Sequence, residues 1–215
     1  MVKVKTPGSS RREQAEKSRR KVLRAAREAF LESGYHSTTM GQIAKRAGLA
    51  VQTVSYHFGT KPRLMSELIT VSVKHAMGEV APLDRPAWEQ ALETATDGHE
   101  LVDAILEEVH AIMMSVAQLM DVARIGGLTD PEVQEVYESH EQWRARDFGR
   151  FVGALDDLDA LREGMDVQTA LDIVLTVLGP DTYRMLSVDR GWDEAKIMEW
   201  MRQTIKMLLL RPTSG

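Results

Sequence analysis

Residues 39–61 read TMGQIAKRAGLAVQTVSYHFGTK, and this stretch decides the fold. Thr39 can cap a short helix, its hydroxyl oxygen accepting from an otherwise unpaired first-turn amide, while Ile43, Ala44 and Ala47 supply a narrow apolar stripe. Gly48 ends that helix, since the residue past a helix end often needs positive φ, and Leu49 can pack back into the junction. A second helix then starts near Ala50. Its Val54 and Phe58, four apart, face inward and leave Val51, Gln52, Thr53, Ser55, Tyr56 and His57 on the outward and flanking faces. An amide, hydroxyls, an imidazole and one small apolar group suit a major groove, where Gln pairs with adenine and a valine methyl meets the thymine methyl. The expected partner is therefore double-stranded DNA.

Charge points the same way once it is split along the chain. The 215 residues carry a net charge of −5, which alone argues against nucleic acid. Residues 1–63, however, hold 14 Lys and Arg against 4 Glu, and residues 64–215 hold 13 against 28 acids. A cationic end gains affinity by releasing counterions from phosphates, so binding is expected to weaken steeply with salt. Residues 1–9 read as a disordered basic arm.

Gly34-Tyr35, Thr38-Thr39, Ile43-Ala44, Ala47-Gly48-Leu49, Thr53-Val54, the run from Tyr56 to Lys61, and Leu64 together resemble the DNA-binding domain of the tetracycline-repressor (TetR) family over about residues 15–68. The resemblance implies that Thr39, Gln52, Thr53, Tyr56, His57 and Lys61 touch DNA and that the second helix is the recognition helix. It also implies a homodimer paired through its last two long helices, a pseudo-palindromic operator, and repression as the commoner outcome. Three positions depart from the family pattern. Ala50 stands where a Ser or Thr cap is usual, which should cost the recognition helix about 1 kcal/mol. Ser55 replaces a frequent tyrosine that reaches a phosphate. Pro62 replaces a common acid, harmlessly in a first helical turn.

The rest reads helical, with no period-two alternation of a strand's length, so an all-α chain of about nine helices is expected. A helix-turn-helix domain over residues 10–60 is followed by a sensing and dimerisation domain over 61–215. The first helix should run from Ser10 to Ser33, with Val22, Ala26, Ala29 and Phe30 buried and Gly34 ending it. Helix four should extend from near Thr60 toward Gly78 and act as the lever between the two domains, before a break at Pro82–Pro86 and a short helix around Trp88 to Thr94. Asp97-Gly98-His99-Glu100 makes a capping box for a long helix stopped by Gly126-Gly127, and Asp130-Pro131 opens the next, to about Leu155. Two closing helices are expected over Asp166–Ser187 and Asp193–Leu210. Their Ala170, Leu171, Val174, Val177, Leu178, Ile197, Trp200, Met201, Ile205, Leu208 and Leu209 exceed what a small bundle can hide, and are expected to face a second copy.

Soft apolar walls with a few polar tips on the two central helices point to a site for a small, mostly apolar effector, lined by His110, Met113, Met114, Tyr137 and Trp143. No cofactor is expected. There is no cysteine, so disulfides and thiolate metal sites are excluded and a cytoplasmic location is compatible. No signal peptide or membrane span is visible. Two alternatives remain, a helical metal or small-molecule enzyme and a non-specific DNA-packaging protein. For the first, Glu107 and His110 have half the spacing of a carboxylate-bridged metal site, but the second half is missing. No zinc-protease, phosphate-loop, dinucleotide or nucleophile-elbow motif occurs, so neither catalytic nor metal residues are assigned.

Overall fold

The computed structural model describes residues 7–76 and 86–212. Among these the chain is all-α: α1 (Pro7–Ser37), α2 (Met40–Ala47), α3 (Val51–Phe58), α4 (Lys61–Ala76), α5 (Pro86–Thr94), α6 (Gly98–Gly127), α7 (Pro131–Asp157), α8 (Val167–Val177), α9 (Pro180–Arg184) and α10 (Glu194–Leu209), with a wider π turn over Met185–Asp189. Of the break expected at Pro82–Pro86 only Pro86, which opens α5, is among the described residues, and the end of helix four at Gly78 lies outside them.

Two compact units form. One comprises the chain up to Thr70 together with Val122–Val136, and the other comprises Val71–Asp121 and the chain from Tyr137 onward. The first thus reaches beyond residue 60 and takes in the turn between α6 and α7. Its core is Val22, Ala26, Phe30, Ile43, Val54, Leu64 and Leu68, which share no more than 3% exposure. The α1 stripe is therefore the expected one. Pro7 already lies in α1, three residues inside the stretch expected to be a disordered arm, because proline's fixed φ and missing N–H suit a first helical position. Gly34 (φ 74°, ψ 174°) kinks the helix, which makes one more turn to Ser37.

In the second unit, Asp97 caps α6 by accepting from the amides of His99 (2.7 Å) and Glu100 (3.0 Å). Glu100 reaches back to the Thr96 amide at 3.1 Å, one residue beyond the usual capping-box partner. The first closing helix is not continuous over Asp166–Ser187 as expected. Pro180 has no N–H to offer the Thr176 carbonyl, so α8 stops at Val177 and α9 begins at the proline. Side chains take over the freed acceptors: the Thr182 hydroxyl donates to Thr176 O at 2.6 Å, and the Arg144 guanidinium to Leu175 O at 3.0 Å.

A second correction concerns the apolar face of α8 and α10. Ala170, Val174, Val177, Leu178, Ile197, Met201, Ile205 and Leu209 are buried within the chain itself, in one cluster with Trp88, Leu101, Ile105, Phe151 and Leu155. They are core. The expected helices α5, α6 and α7 cover this face from within the same chain. Of the expected set, Leu171 and Trp200 are half-buried and Leu208 is exposed.

Candidate nucleic-acid interface

The reader is built by local rules that the sequence obeys. Thr39 Oγ1 accepts from the Gln42 amide at 3.2 Å while Gln42 Oε1 accepts from the Thr39 amide at 2.7 Å, a complete capping box that leaves Thr39 exposed. Gly48 takes the left-handed conformation (φ 67°, ψ 36°), and the Leu49 amide returns to Ala44 O at 3.0 Å, which closes α2. Ala50 leaves α3 without a side-chain cap.

Val54 (0% exposed) and Phe58 (6%) anchor α3, and the Arg19 guanidinium lies 5.5 Å over the Phe58 ring. The other face is open. Val51 is 44% and Tyr56 86% exposed, values out of place for apolar groups unless something else covers them. Gln52 and Ser55 are exposed, Thr53 and His57 half-buried, and the Tyr56 and His57 rings meet edge-on at 5.4 Å. All six expected readers of α3 therefore stay clear of its packed side.

Lys61 is placed differently from a free phosphate contact. Its Nζ donates to Tyr35 O (2.9 Å) and Thr38 O (3.0 Å) and sits 4.0 Å over the Tyr35 ring. Burial pulls its pKa below the ordinary lysine value, against the opposing charge of Asp130. Two of its three protons are thus committed to fastening the α1–α2 connection.

Tyr35 in turn fastens the α6–α7 turn, a role that sequence reasoning missed. Its hydroxyl donates to Asp130 Oδ2 at 2.9 Å, and Asp130 Oδ1 caps α7 through the Glu132 amide at 3.1 Å. Burial, the Asp130 bond and the charges of Asp130 and Glu132 raise the phenol's pKa. His36 Nε2 and Thr129 Oγ1 lie 3.0 Å apart beside it. A Cβ on Gly126 would come within 2.9–3.0 Å of Tyr35 side-chain atoms, so glycine is what lets the turn close on the tyrosine. The pairing spans 95 residues, and no local pattern could announce it.

The five residues expected to line an effector site all lie in the second unit but differ in surroundings. Met113 is 5% exposed in the core cluster, and the Met114 sulfur accepts from the Tyr183 hydroxyl at 2.8 Å. His110 pairs with Glu194. Tyr137 is half-buried, and Trp143 is 47% exposed with its ring edge-on to His140 at 5.0 Å. His140 is buried, and desolvation pulls its pKa down to about 4, so the imidazole is neutral near pH 7. Among the described residues no three His, Asp or Glu side chains are grouped as metal ligands would be, and no helix is long and apolar enough to cross a membrane.

A capped α2, a left-handed glycine turn and an α3 whose outer face is polar and open define a helix-turn-helix protein. Residues 22–68 match the family described as "Bacterial regulatory proteins, tetR family". That match runs from the middle of α1, through α2 and α3, into α4. It is 30% identical over 121 residues to the HTH-type transcriptional regulator YhgD of Bacillus subtilis, a match covering 56% of this chain and 60% of that one. The chain thus spans less than two thirds of the length of the curated relatives it matches. Among solved structures, the fold is shared with a transcriptional regulator from Saccharomonospora viridis in complex with choline (TM-score 0.69, 16% identity, 92% and 100% of the two chains). It is also shared with the transcriptional regulator FadR of Bacillus subtilis in complex with stearoyl-CoA (TM-score 0.67, 16% identity, 86% and 96%). The family and these relatives are regulators rather than enzymes.

Proposed function

We propose that this protein is a ligand-responsive transcriptional regulator that binds a pseudo-palindromic operator as a homodimer and represses until a small, mostly apolar effector releases it. The observation that carries the reading is the open face of α3, where Val51 and Tyr56 stay exposed although Val54 and Phe58 of the same helix are fully packed. Gln52 and Thr53 are the base readers, Val51 the apolar contact, and Thr39, Ser55, Tyr56 and His57 hold the flanks. Lys61 has one proton left for a phosphate.

Pairing is supported by what remains outside the core of α8 and α10. Val167 (39% exposed) with Leu171 and Leu175 makes an i, i+4, i+8 stripe on α8, and Trp200, Met207 (61%) and Leu208 (37%) make one on α10. The effector is placed in the second unit, around His110, Met113, Met114, Tyr137 and Trp143. The choline and stearoyl-CoA complexes of the fold neighbours support room for a ligand in this fold. Release follows if the effector favours a spacing of the two recognition helices that no longer fits successive major grooves.

Selection of bound fragments from random duplex DNA by the purified protein tests reader and dimer together. Two inverted half-sites about one helical turn apart are expected. Gln52→Ala should then relax preference at one base position by about 1–3 kcal/mol. Equal retention of all duplexes would leave only non-specific packaging.

A further inference from the structure

A groove of about 470 Å³ opens between the end of α3 and the first turns of α4, lined by Ser55, Tyr56, His57, Arg63, Ser66 and Thr70, with Glu67 at its side. Its charges do not cancel. Glu67 is already paired with Arg19, whereas no carboxylate pairs with Arg63 among the described residues. Gly59 (φ 71°) shapes the floor: a Cβ there would touch Arg63 Cδ at 3.6 Å and Nη1 at 3.7 Å, so the exposed guanidinium side chain lies along the turn. Ser55 and the exposed Tyr56 line the groove from α3. A free guanidinium among hydroxyls and an imidazole is the donor set for one phosphate group.

From this placement we infer that Arg63 and the Ser55–His57 rim seat a backbone phosphate of the bound duplex, making Arg63 the principal phosphate anchor at the start of α4. Lys61 is bent inward onto Tyr35 O and Thr38 O. The inference rests on the operator-binding reading and adds a residue that the sequence pattern did not single out. Arg63 stood there as one cation in a basic segment, and only the inward fold of Lys61 and the course of the Arg63 side chain along Gly59 distinguish it.

The test measures affinity for the selected duplex and for a random duplex across a salt series, in the wild-type protein, Arg63→Gln, Arg63→Lys and Lys61→Gln. Neutralising one phosphate contributes about 0.9 to the slope of log affinity against log salt, so Arg63→Gln should lower the slope by about 0.9 per protomer and weaken both duplexes alike. Between about 50 and about 200 mM salt, the affinity lost should shrink roughly 3-fold per protomer. Arg63→Lys should restore the slope, and the thermal midpoint of Arg63→Gln should match the wild type. Lys61→Gln should lower that midpoint. An unchanged slope in Arg63→Gln with normal wild-type binding overturns the assignment and leaves the regulator reading intact. A loss confined to the selected duplex makes Arg63 a base reader and overturns it too. Calorimetric titration with inorganic phosphate supplies the remaining arm: tight binding lost in Arg63→Gln while the DNA slope holds assigns the groove to a free anion instead. Wild-type protein that prefers no duplex removes both readings.

Discussion

At the scale of single residues, the two helices of the reader are capped unequally. Thr39 and Gln42 satisfy each other's amides at the start of α2, while Ala50, in the extended conformation an N-cap needs (φ −71°, ψ 147°), offers nothing to α3. Ala50→Ser should therefore raise stability by about 0.5–1 kcal/mol, read as an increased midpoint in urea unfolding. No change would mean that the first turn of α3 is already satisfied by solvent. Lys61 shows the limit of residue-level reading. Its type and position suggest a phosphate contact, but which carbonyls stand within 3 Å of its ammonium depends on where α1 ends, and that is fixed by the kink at Gly34.

At the scale of elements, most boundaries were legible because each carries its own chemistry: Thr39 and Gly48 around α2, Asp97 before α6, Asp130 and Pro131 before α7. The break in the first closing helix was equally written in Pro180, yet the apolar spacing of Leu171, Val174 and Leu178 runs up to it and Leu186 beyond it, and periodicity hid the stop. The outward faces were harder. Hydrophobic spacing says that Val174 or Met201 points away from water but not whether its own chain or another covers it. The face of α3 was readable because two anchors suffice on so short a helix. The Tyr35–Asp130 bond lies beyond any such reading. Tyr35→Phe should cost about 1–3 kcal/mol, since it strands a partly buried carboxylate oxygen, and hydrogen exchange should quicken over residues 126–134. Protection unchanged there would show that packing against Gly126 alone holds the turn.

At the scale of the whole molecule, the basic reader and acidic remainder set how the chain behaves toward salt and acid. Acid sensitivity has an identifiable contributor in His140. Its native pKa, about 4, lies below the ordinary value of 6.5, so the unfolded chain binds the proton first as pH falls. Its contribution is intact above about pH 6.5 and is lost progressively as pH falls toward about 4; near pH 5 the loss is about 2 kcal/mol. Unfolding free energies of the wild type and His140→Leu at about pH 7 and about pH 5 check this. The variant should lose distinctly less stability between the two, and parallel losses would place the acid-sensitive group elsewhere.

The fastening of Tyr35 and His36 by residues far along the chain also bears on how such a protein can be divided. A reader excised at Thr70 would leave behind Val122–Val136, the segment that covers the tyrosine. Transplanting the amino-terminal helices onto another carboxy-terminal body thus requires that the recipient bring its own hairpin tip, with a glycine that admits the phenol ring and an acid to receive its hydroxyl. Compatibility between swapped halves is decided at that small seam, where the Lys61 ammonium lies 4.0 Å over the tyrosine ring.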